Sequence, residues 1–91
     1  MNSYLKRFWF EFDIETAIGL PPGVGIGCGV TTADYDDAVN LLYTKVFKHE
    51  KIPPIKKHIE NVDIRDLDQV RVIPNMREPI ERGVWFPLGY L

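Results

Sequence analysis

The first part of the chain alternates between two kinds of side chain with a period of two residues. Over residues 4–13, Phe8, Phe10 and Phe12 fall on one side, while Trp9 shares the other side with charged residues. Successive side chains of a strand point to opposite faces, so this alternation is typical of a strand with one buried face. We therefore predict a first strand over residues 4–13.

A second alternating stretch covers residues 24–30. Gly25, Gly27 and Gly29 fall on one face, and β-branched residues share the other face with Cys28. A Leu-Pro-Pro-Gly sequence just before this stretch is strong turn punctuation, because proline fixes φ and glycine admits positive φ. The two stretches predict an antiparallel pair of strands joined by a long loop.

The glycine face of the second stretch has two interpretations. Each glycine inside a strand costs about 0.5–1 kcal/mol relative to alanine, so some contact should offset the loss. The first interpretation is packing, in which the ring of Trp9 lies across a surface without side chains. The second is a groove for a ligand or a partner protein. A phosphate loop is disfavoured, because neither G-x-G-x-x-G nor Gly-Lys-Ser/Thr occurs.

The next segment has a helical period. Its apolar positions are Tyr35, Ala38, Leu41, Leu42 and Val46. Thr31 precedes Asp34 by three residues, which is the spacing of a capping box. Acids at the start of the segment and lysines at its end suit the helix dipole. A main helix is predicted over residues 33–48.

The elements after this helix are shorter. The pattern predicts a second short helix over residues 55–61, a turn over 63–68, a short strand over 69–73 and a last strand over 82–87. The element order ββα(α)ββ predicts an α+β fold, in which a small, mostly antiparallel sheet carries the main helix on one face. At this length we expect a single domain over residues 1–91.

The composition of the chain argues against several classes of function. Eleven basic residues stand against thirteen acidic ones, so the overall charge of −2 lacks the basic surplus of a typical nucleic-acid binder. No apolar run of about 20 residues is present, and no signal peptide is recognisable, so we expect a cytoplasmic protein that does not enter a membrane. A single cysteine excludes an intramolecular disulfide.

Candidate catalytic groups lack companions in the sequence. Cys28 falls on the apolar side of its predicted strand, where a cysteine is usually a small buried side chain. His49 and His58 lie in lysine-rich stretches, and neither has a second ligand at metal-binding spacing. We therefore expect no enzyme activity, no cofactor and no metal.

These observations disfavour the other classes of function, so we predict that the chain binds another protein. The candidate partner-binding residues are Asp34, Asp36, Asp37, Asp63, Asp66, Trp85 and Tyr90. Acid clusters could attract a basic protein, and exposed tryptophan and tyrosine are common interface anchors. Each set also has a structural interpretation, because helix starts and turns favour aspartate and the aromatic residues could belong to the core.

Three segments carry a resemblance to a known group of proteins. They are Phe-Trp-Phe-Glu-Phe at residues 8–12, Gly-Cys-Gly-Val-Thr at 27–31, and Pro-Asn-Met at 74–76 with Arg-Gly-Val-Trp-Phe-Pro-Leu-Gly-Tyr at 82–90. Together they resemble small bacterial immunity proteins of contact-dependent inhibition and polymorphic toxin systems. The resemblance implies a cytoplasmic protein that binds and neutralises a cognate toxin domain.

Two alternatives to an immunity protein stay open. One is a small enzyme or ligand-binding domain that uses the glycine face. The other is a homodimeric adaptor, in which edge strands of two subunits pair with each other.

Overall fold

A computed structural model describes residues 5–14 and 19–90. It contains one sheet with the strand order β3-β1-β2-β4, in which every neighbouring pair is antiparallel. The strands are β1 (Lys6–Phe12), β2 (Cys28–Thr32), β3 (Ile55–Glu60) and β4 (Gly83–Phe86), and the helix α1 (Tyr35–Leu41) follows β2. The predicted α+β fold with one main helix is confirmed. The beginning of the first predicted strand, at residue 4, lies outside the described residues.

One face of the sheet carries the helix, and we call it the helix face. The three phenylalanines of β1 lie here, as their alternation predicts, and they are buried. In the register of the sheet, Phe8 lies beside Val30 and Phe10 beside Cys28. The same core includes the buried residues Ala38, Leu41, Leu42, Val46, Phe47 and Val84. The apolar side chains that recur about every 3.6 residues in α1 therefore pack against those that recur every two residues in β1, and together they form one apolar layer.

The opposite face of the sheet, which we call the loop face, is covered by the segment between β3 and β4. Trp9, Trp85 and Phe86 lie on this face, against buried apolar residues of the covering segment such as Val62 and Val72. The segment includes two short 3₁₀ turns, Ile64–Asp66 and Ile73–Asn75. The strands β1, β2 and β4 are thus covered on one face by the helix and on the other by an irregular loop, whereas the edge strand β3 is largely exposed.

The main helix begins later than the capping pattern predicts. Thr31 and Thr32 are the last residues of β2, and the N-cap of α1 is Asp34, whose carboxylate accepts a hydrogen bond from the amide of Asp37 at 2.8 Å. After Leu41 the helix continues as a π-helical turn over Leu42–Val46. The predicted extent of residues 33–48 is therefore approximately right, and Thr31 as N-cap is wrong.

The second strand is shifted from its predicted position of residues 24–30. Residues 22–26 form turns, in which the amide of Ile26 donates to the carbonyl of Gly23 at 3.1 Å. Gly23 and Gly27 both have positive φ, 84° and 147°, which lies outside ordinary strand geometry. Their conformational freedom produces a turn here, and β2 starts only at Cys28.

The predicted helix over residues 55–61 is wrong, because this segment is the edge strand β3. Two prolines before it limit its backbone, and β1 offers a free edge that satisfies its hydrogen bonds. A β-bulge at Glu11/Phe12 shifts the register, so that Ile55 packs into the helix-face core and Ile59 into the loop-face core. The four-residue spacing of these isoleucines therefore reflects two buried faces and not a helix.

The predicted strand over residues 69–73 is also wrong. Asp68 organises the segment into a turn, since its carboxylate accepts from the amides of Val70 and Arg71, both at 2.8 Å. This arrangement competes with strand pairing, as aspartate side chains do in turns. The last predicted strand, residues 82–87, is observed as the shorter β4.

Candidate functional site

The glycine face is filled by the protein's own tryptophans. A β-carbon added at Gly27 would lie 2.5 Å from Cζ2 of Trp9, and one added at Gly29 would overlap the six-membered ring of Trp85. The predicted contact of Trp9 with the glycines is thus confirmed at Gly27, and Trp85 takes the same role at Gly29. The two indole rings stack with centroids 6.1 Å apart. Aromatic rings thus occupy the surface beside Gly27 and Gly29, whereas Gly25 lies exposed in the turn before β2.

The burial of Trp85 corrects its assignment as a partner-binding residue. Only 1% of its surface is exposed, so it cannot contact another protein without unfolding part of the loop face. The sequence left core packing as the alternative interpretation, and that interpretation is right. Tyr90 is half-buried, and its hydroxyl donates to the carbonyl of Pro22 at 2.9 Å. Its ring lies at the rim of a cavity described below.

The two acid clusters lie at the same end of the sheet. Asp34 follows the end of β2, where Thr32 pairs with Lys6, and Asp63 follows the end of β3, where Glu60 pairs with Phe8. Residues more than 25 positions apart in the sequence are therefore brought to the end at which β1 begins. We call this region the acidic end, defined by Asp34, Asp36, Asp37, Asp63 and Asp66.

The carboxylate of Asp37 forms hydrogen bonds within the protein and is not free to bind a partner. Its carboxylate accepts two hydrogen bonds from Arg82, at 2.8 and 2.9 Å, and a third from the hydroxyl of the buried Thr32. The hydrogen bonds from Arg82 and Thr32 lower the pKa of this carboxyl below its ordinary value. The bidentate pair connects the start of α1 to the segment before β4, and it neutralises one of the predicted partner-binding charges.

Asp63 is paired within its own turn. Arg65 donates to it from the backbone amide and from the guanidinium, at 3.0, 3.1 and 2.7 Å, and these hydrogen bonds lower the pKa of Asp63 to about 2. Asp36 and Asp66 differ from it, because both are exposed and neither forms an ion pair with any residue in the described ranges. Asp34 is exposed as well, although its carboxylate caps α1. The available charge of the acidic end therefore belongs to these three aspartates.

A cavity lies at the opposite end of the molecule, where β1 ends and β3 begins. Its volume is about 810 Å³, and residues of four segments line it: Asp13, Leu20, Pro21, Pro22, Val46, Phe47, Lys48, Glu50, Lys51, Pro53, Pro54 and Tyr90, together with Gly19. We call it the lysine groove. The sequence did not predict it. Only Lys48 and Lys51 of the five lysines over residues 45–57 line the groove, where Asp13 and Glu50 balance their charge.

The backbone beside the lysine groove is unusual. The π-helical turn at Leu42–Val46 is followed by two consecutive residues in left-handed conformation, Lys48 with φ 53° and His49 with φ 69°. The amide of His49 donates to the carbonyl of Tyr43 at 2.8 Å, and their rings contact edge to face at 5.1 Å. Left-handed non-glycine residues and π-helical turns are both enriched at functional sites.

The reactive side chains stay apart from one another. Cys28 is fully buried in the helix-face core, and burial raises the pKa of its thiol well above the ordinary value. The ring of His58 contacts the ring of Tyr35 in a tilted arrangement, with centroids 4.8 Å apart. Within residues 5–14 and 19–90, no group of three His, Cys, Asp or Glu side chains is arranged to hold a metal ion.

Comparison of the chain with protein-family models, with curated proteins and with solved structures gives no match. The helices in the described part of the chain are too short and too polar to cross a bilayer.

Proposed function

We propose that this chain is an immunity protein, which binds a cognate bacterial toxin domain in the cytoplasm and neutralises it by stoichiometric association. The resemblance of residues 8–12, 27–31, 74–76 and 82–90 to such proteins supports this proposal. The burial of Cys28 also supports a binding function, because a nucleophilic cysteine requires an accessible thiolate.

The observation that carries the proposal is the exposed carboxylate charge of the acidic end. Asp34, Asp36 and Asp66 lie exposed at one end of the sheet, and none of them forms a salt bridge with a described residue, although Arg65 lies near Asp66. A basic toxin surface would provide salt-bridge partners. Charges placed in this way steer the encounter of two proteins and raise the association rate.

The experiment is a growth-rescue assay with the toxin domain encoded beside this chain. Bacteria that express the toxin domain alone should stop growing, and co-expression of this chain should restore growth. A version of the chain with an early stop codon provides the control. The purified pair should elute together with one copy of each.

Two results would contradict the proposal. One is a genomic neighbourhood without a toxin gene. The other is continued growth arrest although this chain is expressed, folded and present in excess over the toxin domain.

A further inference from the structure

We propose that residues 63–76 form a hinged cover over the loop face, which opens as one unit while the helix face stays folded. We call this segment the loop-face cover. Its opening exposes the indole rings of Trp9 and Trp85, which are buried in the closed structure. This second conformation goes beyond the proposed toxin binding and does not depend on it. The hydrogen bonds of the segment, its two ends and the donor beneath it support the inference.

The hydrogen bonds of the loop-face cover are all internal. The carboxylate of Asp63 accepts from the amide and the guanidinium of Arg65. The carboxylate of Asp68 accepts in the same way from Arg71. The other hydrogen bonds of residues 63–76 also stay within the segment, and none of them reaches the sheet within the described ranges. The loop-face cover can therefore separate from the sheet without breaking a hydrogen bond to it.

Apolar packing keeps the loop-face cover closed. Leu67 and Val72 are buried in the loop-face core, and the side chains of Ile64, Ile73 and Met76 are partly buried there. Such packing is not directional, and it involves few side chains of the segment. A segment with few buried apolar side chains and with locally satisfied hydrogen bonds is among the first parts of a protein to open.

Hydrogen bonds just outside the segment fix its two ends. At one end, the amide of Val62 donates to the carbonyl of Arg7 and the guanidinium of Arg7 donates to the carbonyl of Val62, both at 3.0 Å. Arg7 also adds a weaker charge attraction to Asp63. At the other end, the amide of Arg77 donates to the carbonyl of Trp85 at 2.8 Å. Since the segment is bonded to the sheet at these two points and not between them, it moves as a whole.

A donor beneath the loop-face cover favours opening. Nε1 of Trp9 donates to Glu11 at 2.9 Å, but Nε1 of Trp85 is buried and has no acceptor among the described residues. A buried donor without an acceptor destabilises the closed state, because it has lost its hydrogen bond to water. Opening restores that hydrogen bond and so offsets part of the cost of exposing the indole rings.

Thiol labelling without denaturant measures the opening. Val72→Cys places a thiol beneath the loop-face cover, and the natural Cys28 is buried in the helix-face core of the same molecule. We expect the thiol at position 72 to react about tenfold faster than Cys28 or more, since opening of the loop-face cover exposes it without global unfolding. Peptide mapping by mass spectrometry distinguishes the two thiols.

Two further changes in the Val72→Cys background test whether the faces open separately. Val46→Ala weakens the helix-face core, which stays folded when only the loop-face cover opens. It should accelerate labelling of Cys28 about tenfold and change labelling at position 72 less than about twofold. Leu67→Ala is the matched variant, and it should accelerate both reactions, because both exposed states have already lost the Leu67 contact.

Circular dichroism and the urea midpoint verify that these variants fold. If Val46→Ala does not fold, dilute urea replaces it, because urea accelerates global unfolding more steeply than the opening of a small segment. Hydrogen exchange followed by NMR then reports on the indole N–H of Trp85 itself. This proton should exchange through the same opening as the thiol at position 72, and it should be insensitive to the weakening of the helix-face core.

Three results would overturn the proposal: equal labelling rates at position 72 and Cys28, parallel acceleration of both thiols by Val46→Ala or dilute urea, or exchange of the Trp85 indole N–H only through global unfolding. The first two would show that both faces of the sheet unfold together, and the third that the indole rings stay covered. Growth rescue is scored separately, so failure of this proposal and failure of toxin neutralisation are distinguishable.

Discussion

The six-membered ring of Trp85 lies directly against Gly29 of the neighbouring strand, in the position that a β-carbon would otherwise take. Strand β2 thus contributes a flat backbone surface, and β4 contributes the ring that covers it. This pair links the middle of the sheet to the loop-face core, because Trp85 also stacks on Trp9. The contact depends on the absence of a single methyl group.

We predict that Gly29→Ala destabilises the protein by about 1–3 kcal/mol, which is the usual cost of overpacking a buried contact. The added methyl group would overlap the ring of Trp85, and the ring is enclosed on all sides. Urea denaturation followed by tryptophan fluorescence measures the loss. Gly25→Ala is the matched control, since the nearest atom to its added β-carbon is Cδ1 of Ile14 at an ordinary 3.7 Å. Equal stability of the two variants would show that the ring of Trp85 can shift to accept the added methyl group without loss of stability.

Asp37 should make stability depend on pH. Its pKa is lowered from 3.8 in the folded protein by the hydrogen bonds from Arg82 and Thr32, so the native state favours the ionised form. The stabilisation is complete above the unfolded-state pKa and is lost as the pH falls through the lower folded-state pKa. We therefore predict that Asp37→Asn costs about 1 kcal/mol near neutral pH and that its difference from wild type shrinks in acid.

Urea titrations at several pH values between neutral and strongly acidic conditions measure this difference. Asp36→Asn is the control, because Asp36 is exposed and has no ion-pair partner among the described residues. A wild-type advantage over Asp37→Asn that persists unchanged into acid would contradict the role given to the ionised carboxylate.

Cys28 should be unreactive in the native protein. Its burial raises the pKa of the thiol, so neither thiolate nor access for a reagent is available. We predict that a thiol-specific chromogenic reagent labels the protein only after urea unfolds it. Cys28→Ala should keep the growth-rescue activity while losing some stability. Rapid labelling without urea, or loss of rescue in a stably folded Cys28→Ala variant, would reopen a chemical role for the thiol.

The acidic end should control the rate of toxin association. We predict that the double variant Asp36→Lys, Asp66→Lys folds normally and associates about three- to tenfold more slowly at low ionic strength. Salt should reduce the difference, since the screening length is about 8 Å at physiological ionic strength. Stopped-flow mixing at low and high salt measures both effects. Asp37 is left unchanged because its replacement would disturb the pair with Arg82.

An association rate equal to wild type at low salt would remove Asp36 and Asp66 from the docking surface. Circular dichroism and the urea midpoint provide the folding control for this double variant.

Elements with one strong period were predictable from the sequence, and elements that depend on distant partners were not. The alternation in β1 and the apolar stripe of α1 are local signals, and the structure confirms both. The spacing of the isoleucines in β3 fits a helix, so the sequence predicted one there. The true determinants of β3 are the free edge of β1 and a bulge at Lys56, which has no partner in β1. The residues of β1 that pair with β3 lie more than 40 positions before it in the sequence.

The candidate sites show the same division. Aspartates at a helix start and in a turn were recognisable as clusters, but their pairing with Arg65 and Arg82 was not. The pair of Asp37 and Arg82 joins residues that are 45 positions apart. The lysine groove combines Asp13, the segment 19–22, the segment 46–54 and Tyr90, so no short motif could indicate it.

The central position of β1 has a consequence for synthesis of the protein. This strand is made first, yet one of its neighbours is residues 28–32 and the other is residues 55–60. Its side chains Phe8, Phe10 and Phe12 therefore lack part of their packing contacts until residues 55–60 have left the ribosome. Closure of such long loops slows folding, so a chaperone that covers apolar segments at the ribosome exit would act on this strand first.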